Sequence, residues 1–386
     1  MKIKLGGPTM RRALLAAGLA AACGTAPLLA VPALAADPTK IVYANYLNPK
    51  HITNPVLLRY FQDVERDSKG TLKFEYHFGS SLLSGKDIPG GVRDGIADAG
   101  YFVGAYIPTE MPVDNFLAEF SLLNDEPLVM TAVLNELELF NCPQCTEEFK
   151  KFNTRFLATY ALTPYVYHCR TELKKLSDFK GKRVRGISAY ADLARALGAV
   201  PVNVSPDEAY EALDRGIIDC ALHSIAAQKA RSYGEAAKFV LLDPLGGFLG
   251  AALFDLRIDK WNALSVDQRK AIVENLPQLV TDSIFNYIRE DEEVVAEYTK
   301  KGTKFYKGDA EFGAFIQDFA KKYTATAVEK GGKVGVKDPA KIAAELTRLA
   351  DKWRGLLEKN GRDPATFKRL LWEEIYSKVD VQNPIK

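Results

Sequence analysis

Hydrophobic positions fall into two alternating rhythms from residue 40 onward. Residues 40–46 (Lys-Ile-Val-Tyr-Ala-Asn-Tyr) form a short strand-like run, and 54–68 follows with Val56, Tyr60, Phe61 and Val64 at helical spacing. Gly70 stops that helix, 72–78 alternates as a strand, 88–94 reads as a helix stopped by Gly95, and 97–103 is strand-like again. This βαβαβ rhythm predicts a largely parallel sheet with helices on both faces. Helical spacing continues through 130–140 to Phe152, before a strand at 155–160.

A second unit begins near Tyr165, with strands at 165–169 and 183–187, a helix at 190–197 and a strand at 201–204. Ser205-Pro206-Asp207-Glu208 has the form of an N-cap with proline at the first helical position, and Gly216 stops the helix it opens. Residues 217–222 form a short buried strand, and 251–258 reads as a strand returning to the first unit. Ser265-Val-Asp-Gln268 is a capping box opening a long helix to about Lys301, which Pro277 is expected to kink or divide. Helices around 342–358 and 365–378 close the chain. The expectation is an α/β, two-lobed protein with a hinge and one long helix crossing both lobes. The first lobe takes 37–164 plus about 255–295, and the second 165–254 plus about 296–386 with the C-terminal helices.

Composition narrows the function. With 386 residues, 47% hydrophobic and 26% charged, the chain is long enough for two such units and too apolar for a disordered one. The formal charge of +2 leaves no polycationic surface for counterion release, which excludes nucleic acid as a partner. The first 36 residues carry Lys2, Lys4, Arg11 and Arg12 and no acid, leaving 47 basic against 49 acidic residues after them. A basic start, an apolar stretch over 13–22 and the small-residue end Ala33-Leu-Ala-Ala36 read as a cleaved export signal. Arg11-Arg12 is a weak twin-arginine feature, and Cys23 is a weak lipoprotein site, with Leu19 one place too early. The mature protein is therefore expected in the periplasm, where four cysteines remain in an oxidising compartment: Cys142, Cys145, Cys169 and Cys220. Cys142-Pro-Gln-Cys145 has the spacing of a thiol–disulfide active site, but it follows a helix rather than a strand, which favours a short-loop disulfide or two plain thiols. Three pairings of these four cysteines are possible.

Familiar catalytic signatures are missing: there is no GxGxxG, Walker loop, HExxH or GxSxG elbow. None of His51, His77, His168 and His223 is paired at metal-ligand spacing, so neither a metal nor another cofactor is expected.

The informative stretch is 169–223: Cys169-Arg-Thr-Glu, Leu176-Ser-Asp-Phe-Lys-Gly-Lys-Arg-Val-Arg185, Leu197-Gly-Ala-Val-Pro201 and Asp207-Glu-Ala-Tyr-Glu-Ala-Leu-Asp-Arg-Gly-Ile-Ile-Asp219. With Asp63-Val-Glu-Arg-Asp-Ser-Lys-Gly70, Val92-Arg-Asp-Gly-Ile-Ala-Asp98 and Ile258-Asp-Lys-Trp-Asn-Ala-Leu-Ser-Val-Asp-Gln-Arg269, it resembles, in order and spacing over roughly 38–300, the substrate-binding proteins of tripartite ATP-independent periplasmic (TRAP) transporters, dicarboxylate-binding type. The resemblance implies a non-enzymatic receptor that captures a small organic acid between two lobes. It further implies membrane partners, a small and a large permease subunit driven by an ion gradient.

The resemblance also assigns residues. Arg185 falls on the arginine that clamps the ligand carboxylate, a role suited to a planar guanidinium fork. Alternation alone places Arg183 on the same face and does not choose between them. Arg170 matches a second cleft arginine, and Asn45 a cleft asparagine at the end of the first strand. With Cys169 beside Arg170 and Cys220 beside Asp219, a disulfide between the two adjacent strands is expected to brace the floor of the same cleft. His223 stands where an asparagine is usual, and Asp219-Cys220 replaces the usual Asp-Gly. Phe102, Val103 and Tyr106 occupy a place where some sugar-acid binders carry a carboxylate, and Phe248 sits in the return loop. If these line the cleft, the ligand has an apolar or aromatic body. Two alternative outputs fit the same chain: a periplasmic thiol–disulfide oxidoreductase using Cys142 and Cys145, or a binding protein that signals to a sensor kinase.

Overall fold

The computed structural model describes residues 37–385, except for the side chain of Asp207. The expected export signal lies outside the described residues. The described residues include eleven strands: β1 (Thr39–Ala44), β2 (Leu72–His77), β3 (Ala99–Phe102), β4 (Thr154–Tyr160), β5 (Val166–Cys169), β6 (Arg183–Arg185), β7 (Val200–Val202), β8 (Cys220–His223), β9 (Phe239–Leu241), β10 (Ala251–Arg257) and β11 (Lys304–Tyr306). They form two sheets, β2-β1-β3-β10-β4 and β11-β9-β5-β8-β6-β7, one for each lobe.

The sheets are more mixed than the sequence rhythm suggests. β1 runs parallel to β2 and β3, and β6 runs parallel to β7 and β8. In contrast, β10 is antiparallel to β3 and β4, and β5 is antiparallel to β8 and β9. The reversed strands β5 and β10 each enter their sheet after the chain has crossed from the other lobe. No helical crossover within the same sheet constrains them to run parallel.

Packing of the first lobe follows the helical spacing read from sequence. The helix Thr53–Asp67 buries Val56, Tyr60, Phe61 and Val64 against β1 and β10, with Phe61 edge-on to Tyr43 at 5.1 Å and Tyr60 edge-on to Phe254 at 5.4 Å. Aromatic pairs of this geometry add about 0.5–1.5 kcal/mol each beyond the area they bury.

The long helix spans Val266–Lys300, opened by the reciprocal Ser265–Gln268 capping box. It touches the first lobe through Tyr60 Oη donating to the Ile272 carbonyl, and the second through Asp291 accepting from the Ala226 amide and Glu290 pairing with Lys229. Pro277 lies inside it without dividing it. The buried packing around Pro277 outweighs the single backbone hydrogen bond that the ring removes.

The C-terminal helices do not join the second lobe as a block. β11 pairs with β9 in the second sheet, and the helix Ala310–Lys333 touches both lobes, since Tyr323 Oη lies 2.6 Å from Glu119 Oε2 and 2.5 Å from Asp192 Oδ2. The helix Pro339–Asn360, however, packs on Pro127–Glu136 of the first lobe. There Glu136 accepts from Trp353 Nε1 at 2.6 Å and pairs with Lys352 at 2.8 Å. Pro364–Glu374 packs on the long helix through Phe367 against Phe285. Residues beyond about 339 therefore belong with the first lobe, because their apolar faces match its helices.

Candidate functional site

In open α/β sheets, ligands bind in the crevice outside the carboxyl ends of the strands. Here those ends converge from both lobes. Tyr46 follows β1, Val103 and Tyr106 follow β3, Arg185 ends β6 and His223 ends β8, and all five line one narrow chamber between the sheets. Tyr160 at the end of β4, Tyr165 just before β5 and Tyr287 of the long helix complete its aromatic wall, with Arg231 and Phe248 from connecting segments. The chamber measures about 20 Å³, and a wider cleft of about 470 Å³ lies beside it.

Arg185 dominates the electrostatics. Its side chain is 2% exposed, and its Nε and Nη1 donate to the carbonyls of Val204 at 3.0 Å and Leu222 at 3.1 Å. Among the described residues it has no carboxylate partner and Nη2 has no acceptor. A buried cation held only by backbone carbonyls is costly and presents unused donors to whatever enters the chamber.

His223 is a neutral neighbour. Burial first, then Arg231 and Arg185, hold its pKa well below the usual imidazole value. Arg231 Nε donates to its Nε2 at 3.0 Å, while at Nδ1 the Ser224 amide donates at 2.9 Å and Ser224 Oγ lies 3.1 Å away, so both ring nitrogens are engaged within the protein. The ring therefore offers the chamber a face, stacked on Tyr165 at 5.0 Å, rather than a spare nitrogen. Arg231 also reaches across the lobes to His51, with Nη2 3.2 Å from Nε2.

The tyrosine hydroxyls are paired with one another: Tyr101 with Tyr160 at 3.1 Å and Tyr46 with Tyr106 at 3.3 Å. Burial raises the pKa of Tyr46, Tyr101 and Tyr160 well above the usual phenol value, so these remain neutral donors. Two further bonds hold the lobes together, Asn48 Nδ2 to the Ala230 carbonyl at 3.2 Å and Ser188 Oγ to Asn115 Oδ1 at 3.0 Å.

Of the residues expected from sequence, Arg185, His223 and Phe248 line the chamber, with Val103 and Tyr106. Arg170, Asn45 and Phe102 do not. Arg170 is exposed and its guanidinium lies over Gly216, where a Cβ would come within 2.6 Å of Nη1. The reason is the reversed β5: Val166 pairs with His223 at the cleft end, so Cys169 and Arg170 fall at the opposite end. The same register moves the Cys169–Cys220 disulfide, which is present, away from the cleft floor to the opposite ends of the central strands β5 and β8. Phe102 points to the other face of β3 from its neighbours Tyr101 and Val103, into a core with Phe149 and Phe152. Asn45 is spent on local structure, its Oδ1 accepting from the Leu47 amide and its Nδ2 donating to Asn54.

Arg231 and the tyrosines other than Tyr106 escaped sequence reasoning. Arg231 lies in a short Ala-rich connection with no motif around it. The tyrosines did carry a signal, in that Tyr46, Tyr101 and Tyr160 sit at or just past strand ends. Cys142 and Cys145 form a disulfide and are 3% and 2% exposed in the first-lobe core. Among the described residues no group of three or more His, Cys, Asp or Glu is placed to hold a metal ion, and no helix is long and apolar enough to cross a membrane.

A family model described as bacterial extracellular solute-binding protein, family 7, matches residues 43–330. Among solved structures, a TRAP solute-binding protein from Rhodoferax ferrireducens in complex with copurified benzoate is 20% identical, covering 82% of this chain and 99% of that one at a TM-score of 0.71. A marine metagenome TRAP protein specific for aromatic acid ligands, in complex with 3-hydroxybenzoate, is 18% identical over 82% and 99% with a TM-score of 0.72. A Bordetella bronchiseptica TRAP protein with bound mandelate is 18% identical over 82% and 99% with a TM-score of 0.68. At these identities the likeness establishes the fold.

Proposed function

This chain belongs to bacterial extracellular solute-binding protein family 7, the dicarboxylate-binding type of TRAP transporters, and we propose that it captures an aromatic organic acid anion between its lobes, with Arg185 as the carboxylate clamp. The observation that carries this reading is the buried Arg185 guanidinium, without a carboxylate partner among the described residues, in a chamber walled by tyrosines. A ligand carboxylate supplies the missing counter-charge through charge-assisted hydrogen bonds, and the tyrosine faces take the apolar body. The acids bound by the structural relatives, benzoate, 3-hydroxybenzoate and mandelate, share that chemistry.

Closure and capture are one event in this mechanism. A chamber of about 20 Å³ holds little more than a single water, so the lobes must part to admit an organic acid. The carboxylate meets Arg185 on the second lobe and the ring meets Tyr46, Tyr101 and Tyr160 on the first. Only the closed arrangement offers both sets of contacts, so the ligand shifts the population toward it. The closed form then delivers its cargo, outside the inner membrane, to a small and a large permease subunit for ion-gradient-driven uptake. The thiol–disulfide alternative finds no support, because exchange needs an accessible sulfur and both Cys142 and Cys145 are buried.

A thermal-shift screen of organic acids identifies the ligand, and calorimetry on Arg185→Ala tests the clamp. The expected loss is about 2–5 kcal/mol, roughly thirtyfold to a few thousandfold in Kd. A loss under about threefold, within the scatter of such measurements, overturns the assignment.

A further inference from the structure

We infer that Tyr46 and Tyr106 divide the cleft into two subsites, and that the ligand is an elongated monocarboxylate whose uncharged polar end lies in the outer one. The inference rests on the proposed carboxylate-binding function and names the ligand class for that site. The inner chamber and the outer cleft share only Tyr46 and Tyr106 among their described lining residues. The two rings stand edge to face at 5.7 Å with their hydroxyls 3.3 Å apart, forming the wall between the cavities. The outer cleft, at about 470 Å³, is the one with the capacity of a small-molecule site. Gly85 backs the wall: a Cβ there would meet the Tyr46 ring at 3.1 Å and the Tyr106 ring at 3.4 Å. Its missing side chain leaves the two rings room to swing and join the cavities around a long ligand.

Charge separates the two subsites. The inner chamber holds Arg185 and Arg231 beside a neutral His223. Among its described lining residues the outer one carries Glu208, Glu211 and one cation, Lys86, with Glu211 also 3.4 Å from Arg215, and the neutral polar groups Ser80, Ser84 and Asn203 come from both lobes. Glu208 stays ionised, since hydrogen bonds from Ser205 hold its pKa below the usual carboxylate value. A second carboxylate on the ligand would face these acids, whereas an amide or hydroxyl can pair with Asn203 and the serines.

Calorimetry on the full-length protein with benzoate, 4-acetamidobenzoate and terephthalate tests this. The expected result is that 4-acetamidobenzoate binds at least about tenfold tighter than terephthalate, its dianionic counterpart of similar length. In Gly85→Ala, which narrows the swing, and in Asn203→Ala, on the facing lobe, the affinity ratio of 4-acetamidobenzoate to benzoate is expected to fall at least about fivefold. Terephthalate binding as tightly as the amide, or an unchanged ratio in both variants, overturns the inference. Arg185-dependent benzoate binding without that discrimination overturns this inference alone, whereas failure of all three acids to bind overturns it together with the aromatic-acid reading.

Discussion

Arg231 Nη2 of the second lobe lies 3.2 Å from His51 Nε2 of the first, while Arg231 Nε lies 3.0 Å from His223 Nε2, so one guanidinium is shared by two imidazole acceptors. Both rings must be neutral to accept these bonds. Burial first, then the Arg231 charge, hold the pKa of His51 well below the usual value, and His223 is shifted in the same direction.

The sign of the resulting pH dependence follows from linkage. A histidine with a depressed pKa in the closed form binds fewer protons there than when exposed, so closure is fully supported above about pH 6.5 and weakens as the pH falls below it. Small-angle scattering on the ligand-free protein should show expansion between pH 7.5 and 5.0. The expansion should shrink in His51→Gln and vanish in the double variant with His223→Asn. An unaltered pH response in the double variant would remove the histidines from the closure equilibrium.

Arg185 offers a trade of stability against binding. Its buried charge is held by two carbonyls and by no carboxylate among the described residues, so removing it relieves a desolvation cost in the ligand-free protein. Arg185→Met should melt at the same or a higher temperature than the parent while losing at least about thirtyfold in affinity. A strong fall in melting temperature would mean that the guanidinium is chiefly structural.

The two disulfides should differ in worth. Cys169–Cys220 closes a loop of sequence separation 51 and Cys142–Cys145 one of 3. In the chain-entropy model these restrict the unfolded chain by about 4 and about 2 kcal/mol. Replacing both cysteines of each pair by alanine, and following urea denaturation, should show the larger loss at Cys169 and Cys220. Ligand affinity should hold in either variant, since none of the four lines the chamber. The reverse order of stability losses would contradict the chain-entropy account.

Legibility of the fold tracked how local each determinant is. The Ser205 N-cap and the Ser265–Gln268 capping box were readable because four adjacent residues contain their hydrogen bonds. The three-residue strands β9 and β11 were not, since they are strands only by pairing with each other and, for β9, with β5. Strand direction had the larger consequence. Nothing within residues 165–170 records that β5 runs against β8, yet that reversal places Tyr165 at the cleft and Arg170 outside it. Arg185 was legible through the family resemblance, whereas Arg231 depends on how an Ala-rich connection folds over His223.

Buried carboxyls behind the chamber make the last prediction. Asp255 on β10 is 0% exposed and both of its carboxyl oxygens lack a hydrogen-bond partner among the described residues. Asp114, Glu138 and Glu148 are buried nearby. Burial pushes Asp114 up to about 8 and Glu148 up to about 7, and raises Asp255 and Glu138 well above the carboxylate range. Such groups keep their protons in the folded state after the unfolded chain has lost them near pH 4, so they erode stability as the pH rises through that window. Between pH 6.5 and 8 the depressed histidines lose only the remaining half of their unfolded-state protonation, a smaller and opposite effect, whereas each carboxyl that stays protonated costs about 1.4 kcal/mol per pH unit. The protein should therefore melt lower at pH 8 than at pH 6.5. Asp255→Asn, which keeps the shape and cannot ionise, should raise the melting temperature and raise it more at pH 8. An Asn variant less stable than the parent at both pH values would show that Asp255 is ionised and paired in solution.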